Sequence, residues 1–198
     1  MIESSTPPLA VLDGYRNVTD LLVARAADAP DHIAFEVERA DATASSAWRP
    51  ITTQTFSDEV RALAKGFIAQ GIQPGDPIAI MAPTRYEWAV ADLASWFAGA
   101  VVVPIYETSS PTQVDAIVAD AGVRLAIGGT SAHAALLTAA LAQTDRVTLG
   151  AWTMDPVAPL SSGAGTAASG ALSDLIDRGV DITDDELEAR RTSATQDD

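Results

Sequence analysis

The sequence contains no cysteine, so disulfide bonds, thiolate metal ligands and cysteine nucleophiles are all excluded. Basic residues are also scarce: 12 Lys and Arg stand against 27 Asp and Glu, which gives a formal net charge of −15. An acidic surface of this kind repels nucleic-acid phosphates and anionic lipid headgroups. We therefore expect no nucleic-acid partner.

Histidine is rare as well, and His32 and His133 do not have a spacing typical of metal ligands. Neither lies beside a recognisable nucleophile motif, so we predict neither a metal site nor a catalytic triad. The first residues lack a basic segment followed by a long apolar one, and we predict no secretory signal peptide.

No stretch is long and apolar enough to predict a transmembrane helix, which needs about 20 predominantly apolar residues. The nearest candidate, residues 88–106, contains Asp92 and is interrupted by Gly99 and Pro104. Apolar residues at helical spacing before Gly99 and β-branched residues after it predict a helix, a glycine turn and a strand. Because that strand is apolar on both sides, we expect a central parallel strand covered by helices on both faces.

The neighbouring segments extend this pattern. Residues 32–38 and 48–56 are typical of two strands of an antiparallel hairpin with a long polar loop. Strands and helices then follow in the order β-α-β-α-β-α-β, with Asn17, Ser57 and Ser110 as predicted helix N-caps. The predicted fold class is α/β, a layered α/β/α domain with a mainly parallel sheet and a small antiparallel hairpin near the N-terminus.

We divide the chain by composition into an N-terminal arm (1–16), an α/β subdomain (17–153), a flexible loop rich in Pro, Gly and Ser (154–171) and a helical segment (172–198).

Three residues of the predicted loop, Gly163, Gly165 and Ala168, formally match a dinucleotide-binding fingerprint. That fingerprint requires a strand directly before the first glycine, whereas Pro156 and Pro159 precede it here. We therefore interpret the match as part of the flexible loop.

Two polar clusters have both a structural and a functional interpretation. The turn at Gly128–Ser131 follows a strand and opens a helix, where backbone N–H groups can hold an anion. Two glycines and a cap are also what an ordinary strand-to-helix turn favours. Arg85, Glu87 and Asp92 lie near the start of the apolar helix, where they cap it, pair with one another or face a partner; a polar helix edge is the simpler interpretation.

A third cluster, Tyr106, Glu107 and Thr108, comes directly after the β-branched strand. Open α/β sheets bind ligands beyond the carboxyl ends of their strands, so these residues are candidates to line a pocket. The residues alone indicate an acidic α/β domain without a visible catalytic set.

The stretch GIQPGDPIAIMAPTRYEWAVADLASWFAGAVVVPIYETSS, which begins at Gly71, resembles the N-terminal region of adenylate-forming acyl-CoA synthetases. It is most similar to the long-chain fatty-acid members of actinobacterial type. Residues 48–71 resemble the strand–helix entry of this family, and residues 172–198 resemble the stretch immediately before its phosphate loop. The resemblance covers about residues 17–198 and rests on the order and spacing of many segments.

The resemblance implies an enzyme that activates a carboxylic acid with MgATP, forms an acyl-adenylate and transfers the acyl group to coenzyme A. The family's phosphate loop, its adenine and ribose motifs and its C-terminal lid with the catalytic lysine have no counterpart in these 198 residues. We therefore assign no catalytic, cofactor-binding or metal-ligating residue and no cofactor to this chain itself. The implied chain is an incomplete N-terminal subdomain that is inactive alone.

This interpretation makes the remainder of the enzyme the main partner of the chain, with fatty acid, ATP and CoA as ligands of the parent protein. It implies a cytoplasmic protein and is compatible with peripheral membrane attachment and with a homo-oligomer. Two alternatives stay open on the residues: a non-catalytic acidic α/β binding or interaction module, and a bare structural piece.

Overall fold

The computed structural model describes residues 14–38, 47–155 and 169–195. Its helices are α1 (Thr19–Asp28), α2 (Thr53–Gln70), α3 (Tyr86–Phe97), α4 (Pro111–Ala121), α5 (Ser131–Leu141), α6 (Leu172–Arg178) and α7 (Asp184–Arg191), with a 3-10 turn at Gly179–Asp181. Its strands are β1 (Ile33–Glu38), β2 (Trp48–Thr52), β3 (Pro77–Met81), β4 (Val101–Ile105), β5 (Leu125–Gly128), β6 (Ala151–Thr153) and β7 (Ser169–Ala171).

The strands form two sheets. β1 and β2 pair antiparallel, and the other five strands form a parallel sheet in the order β4-β3-β5-β6-β7. Apolar residues of α2, α3, α6 and α7 pack on one face of this sheet, and those of α4 and α5 pack on the other. The predicted layered α/β/α fold with a small antiparallel hairpin is confirmed.

The hairpin lies against the helices that cover the first face of the main sheet. The Phe35 ring contacts those of Phe56 in α2 and Tyr86 in α3, with centroids 4.8 and 5.3 Å apart. A two-stranded hairpin is marginal in water by itself. These contacts between aromatic rings therefore hold it on the domain.

The start of α2 differs from the prediction. The Thr52 hydroxyl accepts a hydrogen bond from the Thr55 N–H at 3.1 Å, so Thr52 caps the helix and Ser57 is buried within it. The prediction of Ser57 as N-cap was wrong. Threonine favours strands, so the threonines before Ser57 were assigned to the preceding strand although Thr52 is the cap.

Of the other two predicted caps, Ser110 is confirmed, whereas the N-cap position of α1 is Val18 and not Asn17. Ser110 forms a reciprocal capping box with Gln113 at the start of α4. Helix α1 begins at Thr19, and the Asn17 side-chain oxygen accepts from the Thr19 N–H at 3.0 Å.

Helix α3, the turn at Gly99 and strand β4 are present as predicted, and Gly99 has a φ of 77°. The central position expected for β4 is wrong, because β4 pairs with β3 alone among the described strands and lies at the edge. Val101 is 53% exposed. Pro104 suits this position because an edge strand tolerates a missing N–H. In the part of the chain that the structure describes, no helix is long and apolar enough to cross a membrane.

The end of the predicted loop over residues 154–171 is also different. Ser169–Ala171 forms β7, which pairs in parallel with β6. Gly163, Gly165 and Ala168 lie outside the described residues.

An ion-pair network around the buried Arg191 joins helix α1 to helix α7. The Arg191 guanidinium, 5% exposed, pairs with Asp20 and with Glu188 at 2.5 Å and donates to the Thr19 hydroxyl at 2.8 Å. The Asn17 amide donates to the carbonyl oxygens of Arg191, the last residue of α7, and of Ala194 beyond it, each at 2.9 Å. The two ends of the described chain are therefore held together.

The network should make stability depend on pH. Burial raises the pKa of the Asp20 carboxyl, but hydrogen bonds from Arg191 and the Arg16 N–H outweigh it and hold the pKa below the usual 3.8. A lowered carboxyl pKa contributes stability above the unfolded pKa, and this is lost as pH falls through the folded value. We expect the contribution of Asp20 to be complete at pH 7 and lost below pH 3.8.

Asp20→Asn should lower the free energy of unfolding by about 1–3 kcal/mol at pH 7, because a hydrogen bond to a charged group is lost. In urea titrations, the difference from wild type should shrink below pH 4 as the wild-type carboxyl is protonated. Asp184→Asn is the matched control, because the Asp184 carboxylate also pairs with Arg61 and Lys65 but is exposed. Exposed ion pairs contribute little to stability, so this variant should lose much less free energy of unfolding than Asp20→Asn. Equal losses for the two variants would contradict the account.

Candidate functional site

The carboxyl ends of the five parallel strands lie together at one end of the main sheet, across the strand direction. Two connections leave in opposite directions there, because β3 continues through α3 to β4 whereas α4 crosses over to β5 on the other side of β3. Open α/β sheets bind ligands at such a switch point. The candidate site is therefore the set of loops after β3, β4 and β5.

A cleft of about 390 Å³ opens between the loops after β3 and β4. We call it the carboxyl-end cleft, and it is lined by Ala82, Pro83, Thr84, Trp88, Pro104, Ile105, Tyr106, Glu107 and Thr108. Three of these residues, Tyr106, Glu107 and Thr108, are the ones that the sequence predicted to line a pocket. The Tyr106 ring is 86% exposed. The cleft therefore offers two aromatic side chains, three hydroxyl groups and one carboxylate to a ligand.

Arg85 joins the loops beside this cleft. Its guanidinium donates to Glu87 at 2.6 Å, to Asp155 at 2.7 Å and to the Gly129 carbonyl at 3.4 Å. The hydrogen bond to Glu87 raises the pKa of Arg85 most, and the hydrogen bond to Asp155 raises it next most. The guanidinium therefore stays charged. Of the predicted interpretations, pairing between Arg85 and Glu87 is the one observed. Arg85 therefore fixes the loops after β3, β5 and β6 relative to one another.

Asp92 does not belong to this cluster. It lies one turn beyond Trp88 on α3, is half-buried, and its pKa is raised by burial. Trp88, Asp92 and Trp96 are spaced four residues apart and so share one face of the helix.

Three backbone N–H groups in and after the glycine turn that follows β5 donate to acceptors within the domain. The Gly129 N–H donates to the Met81 carbonyl, and the N–H groups of His133 and Ala134 donate to the hydroxyl and carbonyl of Thr130. A Cβ at Gly129 would lie 2.8 Å from the Ala82 Cβ, so this close approach requires glycine. These contacts favour the structural interpretation of Gly128–Ser131 over an anion site.

The two histidines lie on different sides of the main sheet. His32 directly precedes β1, whose hairpin packs over the α2–α3 face, whereas His133 is in α5 on the opposite face. Within the described ranges, no group of three His, Cys, Asp or Glu side chains could hold a metal ion. The structure does not bring the histidines together.

A larger cleft of about 860 Å³ lies at the opposite end of the sheet, and sequence reasoning missed it. We call it the amino-end cleft, and it is lined by Tyr15, Asn17, Val18, Thr19, Leu21, Pro74, Gly75, Trp96, Gly99, Ala100, Val101, Ser193, Ala194 and Thr195. Its walls come from both ends of the described chain. No local pattern could have indicated it, because segments about 170 residues apart in sequence form it.

Comparison with known proteins gives a consistent family. The family model described as "AMP-binding enzyme" matches residues 22–184. The long-chain-fatty-acid–CoA ligase FadD15 of Mycobacterium bovis is 34% identical over 137 residues, which is 69% of this chain and 22% of the relative. Its counterpart in Mycobacterium tuberculosis is 33% identical over the same length. The matched part therefore spans about a fifth of the length of these curated relatives.

Solved structures share the fold. The A-PCP didomain of carboxylic acid reductase from Segniliparus rugosus superposes with a TM-score of 0.69 at 16% identity, covering 85% of this chain and 27% of that one. Coronafacic acid ligase from Pectobacterium brasiliense gives a TM-score of 0.65 at 16% identity, covering 84% and 30%. At these identities the likeness concerns the fold alone.

Proposed function

The chain belongs to the AMP-binding enzyme family, and on this basis we propose that it is the N-terminal part of an ATP-dependent long-chain fatty acid–CoA ligase. The observation that carries the proposal is the 34% identity with a long-chain-fatty-acid–CoA ligase over 69% of the chain. The complete enzyme would use MgATP to convert the fatty acid to an acyl-adenylate with release of pyrophosphate. The CoA thiol would then displace AMP to give the acyl-CoA.

The division of the chain follows from this proposal. Residues 17–153 are an α/β subdomain, residues 1–16 an arm before it, and residues 172–198 a helical segment that leads to the rest of the enzyme. Residues 154–171 connect the two, with β7 at the end of that connection. The proposed location of the enzyme is the cytoplasm.

Genetic complementation tests the proposal. The complete gene that encodes this chain should restore growth on oleate to a bacterium that lacks its own fatty acid–CoA ligase. The gene cut after codon 198 is the matched control and should not restore growth. Failure of the complete gene, with the protein present at normal levels, would contradict the proposed activity.

The isolated 198-residue chain should release no pyrophosphate from ATP in the presence of palmitate. Chemistry at a phosphate needs preorganised N–H donors and cations around the phosphate oxygens. At the glycine turn after β5, the Gly129 amide already donates to the Met81 carbonyl, and the His133 and Ala134 amides donate to Thr130. Pyrophosphate release above a buffer control would show that the chain contains a complete site.

A further inference from the structure

We propose that Asn17 is a positioning residue for ATP binding in the complete enzyme, because its side-chain amide fixes the point at which the chain leaves helix α7. This inference rests on the proposed function, in which residues 172–198 lead to the phosphate loop of the ligase. Asn17 acts through that segment and does not itself contact ATP.

The Asn17 amide holds the chain on both sides of the end of α7. Its nitrogen donates to the carbonyl oxygen of Arg191, the last residue of the helix, and to that of Ala194 beyond it, each at 2.9 Å. These partners lie 174 and 177 residues away along the chain. A shift of the chain at either carbonyl relative to α1 therefore breaks a hydrogen bond.

The bond to Arg191 completes the hydrogen bonding at the end of α7. A helix leaves its last carbonyl oxygens without partners within the helix. The Arg190 carbonyl accepts from the Ser193 N–H at 3.2 Å, which is a local contact. The Arg191 carbonyl instead accepts from Asn17. Asn17 therefore caps the end of α7 from an element at the other end of the described chain.

The orientation of the Asn17 side chain is itself fixed. Its oxygen accepts from the Thr19 N–H at 3.0 Å and from the Thr19 hydroxyl at 2.5 Å. Thr19 is buried, and its hydroxyl accepts from the Arg191 guanidinium at 2.8 Å. The oxygen of Asn17 thus faces donors and its nitrogen faces acceptors. An amide provides both, whereas a carboxylate or an alkyl group does not.

Other contacts confine the end of α7 from a different side. A Cβ at Gly99 would lie 3.2 Å from the Arg190 carbonyl oxygen and 3.3 Å from the Ser193 hydroxyl, so the chain packs closely on the turn before β4. The Arg190 guanidinium donates to the Ile72 carbonyl at 3.2 Å. The point at which the chain leaves α7 is therefore set by contacts with distant segments.

A displacement at this point should affect ATP before it affects the fatty acid. The phosphate loop is the first ligand-binding element that the chain reaches after α7 in the proposed enzyme. Donors to phosphate oxygens act only when they are held at fixed positions. A misplacement of about 1 Å can cost about a hundredfold in rate, even when its origin is far from the reacting atoms.

Calorimetric titration of the complete enzyme with MgATP tests the proposal. Asn17→Ala should raise the Kd for MgATP about tenfold, which corresponds to the loss of one to two hydrogen bonds. The KM for palmitate should change less than twofold. A loss of affinity for MgATP alone separates positioning from a general loss of structure.

Gln70→Ala is the matched control. The Gln70 amide also donates to a distant backbone carbonyl, that of Leu149 at 3.0 Å, and its oxygen accepts from Arg178. These contacts join α2 to α6 and to the connection before β6. The Kd for MgATP should therefore stay within twofold of wild type. Equal effects of Asn17→Ala and Gln70→Ala, or an unchanged Kd in Asn17→Ala, would overturn the proposal.

Asn17→Asp keeps the test decisive if Asn17→Ala does not fold. This variant retains the oxygen that accepts from Thr19 and removes both donors to the end of α7. The Kd for MgATP should again rise about tenfold. Hydrogen exchange at the amides of Thr192 and Ser193 should also become faster than in wild type. Wild-type affinity for MgATP in folded Asn17→Asp would contradict the inference.

Failure of this inference is distinguishable from failure of the proposed function. A complete enzyme that forms acyl-CoA but binds MgATP independently of Asn17 overturns the positioning role alone. A complete enzyme whose affinity for MgATP depends on Asn17 but which forms no acyl-CoA overturns the proposed function and keeps the positioning role. A complete enzyme that binds no MgATP overturns both.

Discussion

Gly66→Ala should destabilise the domain strongly, although alanine favours a helix more than glycine does. Gly66 lies within α2, and a Cβ there would be 2.3 Å from the Leu175 carbonyl oxygen and 2.6 Å from its carbon. Gly179 faces it in the same contact, since its own Cβ would lie 2.5 Å from the Gly66 nitrogen. The obstructing atoms are backbone, so a change of side-chain rotamer cannot relieve the clash.

We expect a loss of about 3 kcal/mol, at the upper end for overpacking. In a domain of this size that loss corresponds to a fall in melting temperature of about 6–12 °C. Ala69→Gly in the same helix is the control, because Ala69 is exposed and the change should cost only the helix propensity of about 1 kcal/mol. A Gly66→Ala variant that is more stable than wild type would show that α2 and α6 are further apart.

Ile80→Asp should leave the isolated chain unfolded. Ile80 is fully buried in β3, which pairs with β4 on one side and β5 on the other. A buried carboxylate without a partner costs several kcal/mol, and the whole domain is expected to be stable by only about 5–15 kcal/mol.

Val102→Asp is the matched substitution on β4 and should be much milder. Val102 is half-buried at the open edge, where an aspartate side chain can reach water. Circular dichroism should show native helix content for Val102→Asp and its loss for Ile80→Asp. Complete unfolding by both substitutions would show that β4 is a central strand of the sheet, as the sequence alone suggests.

The order of elements was predictable because it depends on patterns within short segments. The apolar stripe of α2 from Val60 to Ile68 repeats at helical spacing and is buried. Ser110, Pro111 and Gln113 form a cap whose three residues lie together in the sequence. Interactions of this kind are decided by residues three or four positions apart.

The position of β4 in the sheet was not predictable in this way. An apolar run such as 101–103 shows that both faces of a strand are apolar, but it does not show whether both edges are paired. Pro104 was the one available signal, since a proline within a strand favours an edge. Strand order depends on contacts between segments that are distant in sequence. Strand β3 pairs with β5, for example, although α3, β4 and α4 lie between them along the chain.

The candidate site was predictable only in part, for the same reason. Tyr106, Glu107 and Thr108 were found because the carboxyl end of a parallel strand is a known location for ligands. The partners of Arg85 were not all found, since Asp155 is 70 residues away along the chain. The amino-end cleft needs both ends of the described chain and has no local sequence signal.

We propose that this chain is part of a long-chain fatty acid–CoA ligase, and product formation by the complete enzyme tests this proposal most directly. Purified complete enzyme with palmitate, ATP, Mg²⁺ and CoA should form palmitoyl-CoA, AMP and pyrophosphate in equal amounts, measured by mass spectrometry and a coupled pyrophosphate assay. Omission of any one substrate should abolish palmitoyl-CoA. A folded complete enzyme that forms no acyl-CoA from fatty acids of any chain length would contradict the claim.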